Sequence, residues 1–326
     1  MARKRLMHAI HEAFVEEMER DERVVIFGED VEISLFGDTA GLADRFGQMR
    51  VRNTPICENV MTGMAAGAAA AGYRPVCHLM FGNFIYTGFD AIANQVSKLR
   101  YMTAGQIKLP LVYFAVYGGG RSASAQHSDV MYPALMNLGG IKVAVPGTPA
   151  DAKGLLKSAI RDDSPVVFLI TGGRTGAAGE VPDGEHLVPL GEADIKHEGT
   201  DVTLVAMSGM VAPALVAAQE LAKEGVSVEL VDPRCVVPLD EDAILRSVCK
   251  TGRLVIVDEA RDMCSAASHI STIAADKAFE SLKAPIRRVT VPDVAIPYAP
   301  VLEKHILPNK DSIAEAVRSV VNYRKQ

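Results

Sequence analysis

Tryptophan is absent and aromatic residues make up only 6% of the chain, which removes the stacking surfaces that carbohydrate and base recognition usually need. No stretch approaches about 18 uninterrupted apolar residues, so no segment reads as membrane-spanning. Basic clusters are equally scarce. None is longer than Arg3-Lys4-Arg5, and a net charge of -6 argues against nucleic acid as a main partner. The five cysteines (57, 77, 235, 249 and 264) never take a Cys-x-x-Cys spacing. Such an odd, scattered set suits reduced thiols better than disulfides or structural zinc. The start lacks the apolar core of a secretory leader, and the expectation is a cytoplasmic protein.

Nucleotide and hydrolase signatures are missing as well. There is no Gly-x-x-x-x-Gly-Lys-Ser/Thr loop, and Gly118-Gly119-Gly120-Arg121 does not follow Gly-x-Gly-x-x-Gly spacing. Met207-Ser208-Gly209 is the nearest approach to a nucleophile elbow, and no His-Glu-x-x-His run suggests a transition metal.

What is present is an α/β pattern. The 326 residues suffice for two cores, and 48% hydrophobic with 23% charged residues is ordinary for a globular protein. An opening helix places Leu6, Ile10, Phe14 and Met18 on one face. Near-continuous apolar runs at 23–27, 109–116, 141–145 and 165–170 read as parallel strands covered on both faces. Thr148-Pro149-Ala150-Asp151 opens a helix: a threonine cap, proline at the first position, and an acid three residues after the cap. A linker-like stretch near 171–199 separates this half from strands at 202–206, 226–231 and 253–257 with helices at 211–223 and 240–249. The fold expected is two domains, 1–185 and 186–326, each a mostly parallel sheet flanked by helices.

Two features could carry chemistry. Glu58 follows Thr54-Pro55-Ile56-Cys57 at the head of a helix of small residues, including Gly63, Gly67 and Ala68 to Ala71. As a plain first-turn acid it would gain about 0.3–1 kcal/mol from the helix dipole; as a tool it would need something to act upon. The second feature is the Gly/Ser-rich run from Gly118 to Ser128, which ends in His127 and could deliver an imidazole for proton transfer. A solvated loop histidine, a plain core Phe84 and a merely exposed Arg121 are the bland alternatives. Cys57 is expected to be a small buried residue.

Several segments together bear a resemblance: Gly28-Glu29-Asp30-Val31, Gly41-Leu42 through Phe46-Gly47, Thr54 to Glu58, Phe89 to Gln95, His127-Ser128, and Thr148 to Leu156. Val231-Asp232-Pro233-Arg234 through Pro238-Leu239-Asp240 and Pro297-Tyr298-Ala299 extend it over nearly the whole chain. In order and spacing the chain resembles the beta subunit of the thiamine-diphosphate-dependent decarboxylase component of 2-oxo acid dehydrogenase complexes. Ala125-Gln126-His127-Ser128 looks most like the acetoin branch. The resemblance implies a pyrimidine-binding-type domain followed by a transketolase C-terminal-type domain. It makes Glu58 the glutamate that hydrogen-bonds a pyrimidine nitrogen of thiamine diphosphate and favours its imino tautomer. Phe84 matches the aromatic residue packed on that ring, Ile56 and Met80 match further contacts, and His127 matches a histidine that handles substrate and acyl transfer. Asp162 lies where the family can hold a structural potassium ion through backbone oxygens.

The usual Gly-Asp-Gly and Asn-Asn signature for magnesium and the diphosphate is missing; only Gly37-Asp38-Thr39 comes near. An alpha subunit should therefore supply that half, in an alpha2beta2 assembly serving a lipoyl acyltransferase core and acting on a 2-oxo acid or acetoin. A split transketolase-like ketol transferase, or an assembly subunit without chemistry, are the alternatives. Where relatives commonly carry glutamate, arginine and glutamate, this chain has His78, Phe114 and Ile170, as if a buried ion cluster had become mostly apolar. Gly172 to Gly176 also departs from the charged and aromatic residues typical there.

Overall fold

The apolar runs form two sheets, and the computed structural model describes residues 1–324 of the chain. The first sheet has the strand order Cys235–Val237, Lys142–Ala144, Val166–Thr171, Val112–Tyr117, Arg74–Phe81, Val24–Gly28, Val51–Asn53. Its pairings are parallel except at Cys235–Val237, which runs antiparallel to Lys142–Ala144. Every residue of Val112–Tyr117 and Val166–Thr171 is buried, as a sheet covered on both faces requires.

Alternation along these strands sorts side chains between two cores. Val76, Phe114, Phe168 and Ile170 point to one face, covered by helices Leu6–Arg20 and Pro149–Arg161. Cys77, Leu79, Tyr113 and Leu169 point to the other, against helix Glu58–Ala70 and against Val205, Val231, Ile256 and Ile270 from the second half of the chain. The second sheet, in the order Arg287–Val291, Leu254–Arg261, Val202–Ala206, Val228–Asp232, Asp194–His197, thus shares a core with the first. Two connections were not expected. Ala2–Arg5 pairs antiparallel with Ala178–Val181, just after the glycine-rich stretch, and Cys235–Val237 crosses back to extend the first sheet.

His78, Phe114 and Ile170 do meet. His78 is the register partner of Phe114, their rings lie 4.8 Å apart, and Phe114 shares its apolar cluster with Ile170. Charge has not left the place entirely, because His78 Nε2 lies 2.9 Å from Asp38 Oδ2 with both side chains buried.

Candidate functional site

Parallel α/β sheets present their ligand sites beyond the carboxyl ends of the strands, and there the sequence-derived residues gather. Glu29 follows strand Val24–Gly28, Thr54 to Glu58 follow Val51–Asn53, Met80 and Phe84 lie at the end of Arg74–Phe81, and the loop to His127 leaves Val112–Tyr117. Glu58 opens helix Glu58–Ala70, whose N-cap residue Cys57 offers no side-chain cap bond. The Glu58 side chain is only 8% exposed. Among the described residues its carboxylate has neither a hydrogen-bond nor an ion-pair partner, although the Glu58 carbonyl accepts from Thr62 at 2.8 Å. A carboxylate with a purely capping duty would be engaged with backbone N–H groups. This one is held ready and unspent.

Its electrostatic neighbour is Glu29. Burial, then the charge of Glu58, push the Glu29 carboxyl up to about 7, while His78 acts in the other direction. Glu29 Oε1 is buried without a hydrogen-bond partner among the described residues. The Glu58 charge is thus near enough to Glu29 to disfavour the ionised form of the Glu29 carboxyl. The sequence had shown Glu29 only as part of a quoted motif. Its closeness to Glu58 comes from the parallel pairing of Val24–Gly28 with Val51–Asn53, which local spacing does not reveal.

His127 ends a short 3₁₀ turn, Ala125–His127, and sits in an aromatic corner. Its ring meets Phe81 edge-on at 4.5 Å and Phe84 at 5.5 Å, and these two phenylalanines lie 5.8 Å from each other. The buried Nδ1 of His127 has no partner among the described residues. Phe84 and His127 are thus brought together, and Phe81 joins them. Met80 sits at an irregularity of its strand with φ 57°, its N–H donating to His78 Nδ1 at 3.2 Å. Ile56 is 79% exposed, and Cys57, expected to be buried, is exposed beside it. Both stand on an open side of the site. The cavity of about 540 Å³ next to the aromatic corner is lined by Phe36, His11 and Arg121, not by Glu58 or His127.

Asp162 does not join this group. It caps the C-terminus of helix Pro149–Arg161, near the first residues of the strands and so at the opposite end of the sheet. The carbonyls of Ile160 and Asp162 accept from Arg74 Nη1 at 3.0 and 3.1 Å, and the Asp162 carboxylate binds Lys142 and the Ser164 N–H. Arg74 thus engages the two carbonyls and Lys142 the carboxylate. Among the described residues no cluster of His, Cys, Asp and Glu could hold a metal ion.

Comparison with known proteins places both halves. Residues 4–175 match the transketolase pyrimidine binding domain and residues 191–313 the transketolase C-terminal domain. The chain is 44% identical to an acetoin:2,6-dichlorophenolindophenol oxidoreductase subunit beta of Bacillus subtilis (strain 168), over 94% of this chain and 93% of that one. It is 40% identical to the pyruvate dehydrogenase E1 component subunit beta of the same organism, over 99% and 100%. A solved structure titled as a split gene transketolase, inactive beta4 tetramer, superimposes with a TM-score of 0.82 at 25% identity, covering 98% of this chain and 99% of that one.

Proposed function

Since the chain belongs to the family of dehydrogenase and oxidoreductase beta subunits built from these two transketolase domains, we propose that it forms the pyrimidine side of a thiamine diphosphate site. The observation that carries this is Glu58 at the carboxyl end of the sheet, a largely buried residue whose carboxylate has no partner among the described residues. Bound there, thiamine diphosphate supplies the nucleophilic carbon and the electron sink for cleaving the bond next to a carbonyl. Glu58 accepts the hydrogen bond from the pyrimidine ring and keeps a carboxylate opposite it. Phe84 and Met80 provide the apolar wall, with Ile56 closing the exposed edge. His127, in its corner with Phe81 and Phe84, would give or take a proton at the substrate oxygen.

The remaining half is assigned to an alpha subunit, which would bring the diphosphate and magnesium ligands in an alpha2beta2 enzyme. The exposure of Ile56 beside Glu58 supports a site shared between subunits. The substrate is a 2-oxo acid or acetoin, with transfer of the cleaved unit to a lipoyl acyltransferase core. Ketol transfer is less favoured, because the dehydrogenase relatives are 44% and 40% identical against 25% for the split transketolase chain.

The test is reconstitution. The chain alone should be inactive, as that transketolase beta tetramer is titled. Mixed with its alpha subunit it should reduce a dye acceptor with acetoin or a 2-oxo acid, dependent on thiamine diphosphate and magnesium. Full activity from the chain alone would overturn the shared site. In the assembled enzyme Glu58→Gln should lower kcat by at least about 100-fold, as loss of a positioned acid–base group does, while the subunits still co-purify. Wild-type turnover in that variant would reduce Glu58 to a helix-end charge.

A further inference from the structure

The loop that carries His127 is not held by its own domain alone. It leaves strand Val112–Tyr117 through residues of alternating handedness: Gly118 at φ 80°, Gly120 at 88°, Ser122 at 53° and Ser124 at 69°. Such alternation turns successive backbone N–H groups toward one side and makes an anion-binding concavity. In many α/β proteins a concavity of this kind receives a phosphate. Here it is filled from within the chain. Gly119 N–H donates to the Glu259 carboxylate. Gly120 N–H donates to Glu303 Oε1 at 2.8 Å, Ser122 N–H to Glu303 Oε2 at 2.9 Å, and the Ser122 hydroxyl to the same oxygen at 3.1 Å. Both acids belong to the second domain, Glu259 to strand Leu254–Arg261 and Glu303 to helix Pro300–Ile306.

The far end of the loop is fastened to the same strand. Arg261 donates to Asp129 Oδ1 at 3.2 Å, and Asp129 is also held by Asn83, whose Nδ2 reaches Oδ2 at 3.0 Å. The Tyr132 hydroxyl donates to Asp258, which accepts in turn from the Ala260 and Ala267 N–H groups at 2.9 and 3.2 Å. Between these anchors the His127 side chain has no hydrogen bond among the described residues. The Phe81 and Phe84 rings and a 3.2 Å backbone bond to Ser124 hold it locally. Its coordinates are therefore inherited from the anchors. The fit at the first anchor is close: a Cβ on Gly118 would fall 2.5 Å from a Glu259 oxygen.

We infer that Glu303 and Glu259 are positioning residues for His127, a carboxylate clamp by which the second domain sets the active-site loop of the first. Neither needs to touch substrate. Glu303 is the cleaner probe, because one carboxylate takes three of the four loop donors.

The kinetic test rests on the function proposed above and uses the enzyme assembled with its alpha subunit. Glu303→Ala should lower kcat roughly 10- to 100-fold, the scale expected when a reacting group is misplaced by about an ångström. The concentration of thiamine diphosphate for half-maximal activity should change less than about twofold, since Glu58 and Phe84 lie outside the loop. Glu303→Gln, which keeps one acceptor oxygen, should fall in between. In a His127→Ala background Glu303→Ala should cause little further loss, since the two act through one group. Equal losses in both backgrounds, or a parallel loss of cofactor affinity, would overturn the clamp; if Glu303→Ala does not assemble, Glu303→Gln is carried through the same cycle. A second measurement is independent of the proposed chemistry. In the purified chain, amide hydrogen exchange across 118–131 should speed up at least about tenfold in the Glu303 variant, with 58–70 unchanged. Unchanged exchange across 118–131 would overturn the clamp whatever the enzyme turns out to catalyse.

Discussion

Glu29 and Glu58 make the site sensitive to pH in a direction that can be worked out. With its carboxyl raised from 4.5 to about 7, chiefly by burial and next by Glu58, Glu29 binds more protons folded than unfolded across that interval. Stability from this group is thus fully present below about pH 4.5 and is lost as pH rises through about 7. Glu29→Gln should remove most of that slope, and Glu58→Gln should reduce it, because one repelling charge has gone. Denaturant melts of the isolated chain at pH 5 and 8 measure both; identical slopes in wild type and Glu29→Gln would refute the pairing. Of the two acids only Glu58 was legible in the sequence, because its position at a helix start is a local fact. Its partner was hidden because it arrives on a neighbouring strand. Ile56 and Met80 stand out only through the resemblance, and the exposure of Cys57 escapes the sequence because composition cannot tell an open edge from a core.

Among the secondary-structure elements, helix Pro149–Arg161 shows which signals survive folding. Thr148 accepts from the Asp151 N–H at 3.1 Å, as the cap pattern implied, and proline takes the first turn. Asp151 has a longer reach that no local pattern announced: buried, it pairs with Lys196 and with Arg234 at 2.6 Å, both from the second half of the chain. Thr148→Ala should therefore cost about 1 kcal/mol of stability without changing kcat. Asp151→Ala should cost more than that, since it removes the buried carboxylate shared by Lys196 and Arg234 and leaves them only Asp194 and, for Lys196, the more distant Asp232. Chemical denaturation of both variants separates a cap from a cross-domain anchor; equal losses would contradict the distinction. The same contrast explains the missed strands. Cys235–Val237 is too short for any period to show, and Ala2–Arg5 was seen first as a basic cluster.

At the scale of the whole molecule, the small-residue helix has two faces with different duties. Met61, Ala65, Ala66 and Ala69 are buried against the sheet, whereas Val60, Gly63, Met64 and Gly67 are exposed. Beyond the helix's own backbone and the adjacent residues, no atom of the described residues lies within 4 Å of where a Cβ on Gly63 or Gly67 would stand, so packing within the described chain does not require glycine there. Glycine in a helix interior costs roughly 1 kcal/mol relative to alanine. A destabilising residue at two positions one turn apart, on a face carrying exposed Val60 and Met64, fits a helix awaiting a closely packed neighbour. That face begins at Glu58, so whatever covers the helix also stands beside the site. Gly67→Leu should leave the isolated chain as stable as wild type or more so, by up to about 1 kcal/mol. The same substitution should block co-purification with the alpha subunit and abolish thiamine-dependent activity. Thermal melts of the isolated chain and analytical gel filtration of the mixture read the two effects separately. A Gly67→Leu chain that still assembles and turns over normally would show that this face stays bare, and that the second wall of the Glu58 site approaches from another side.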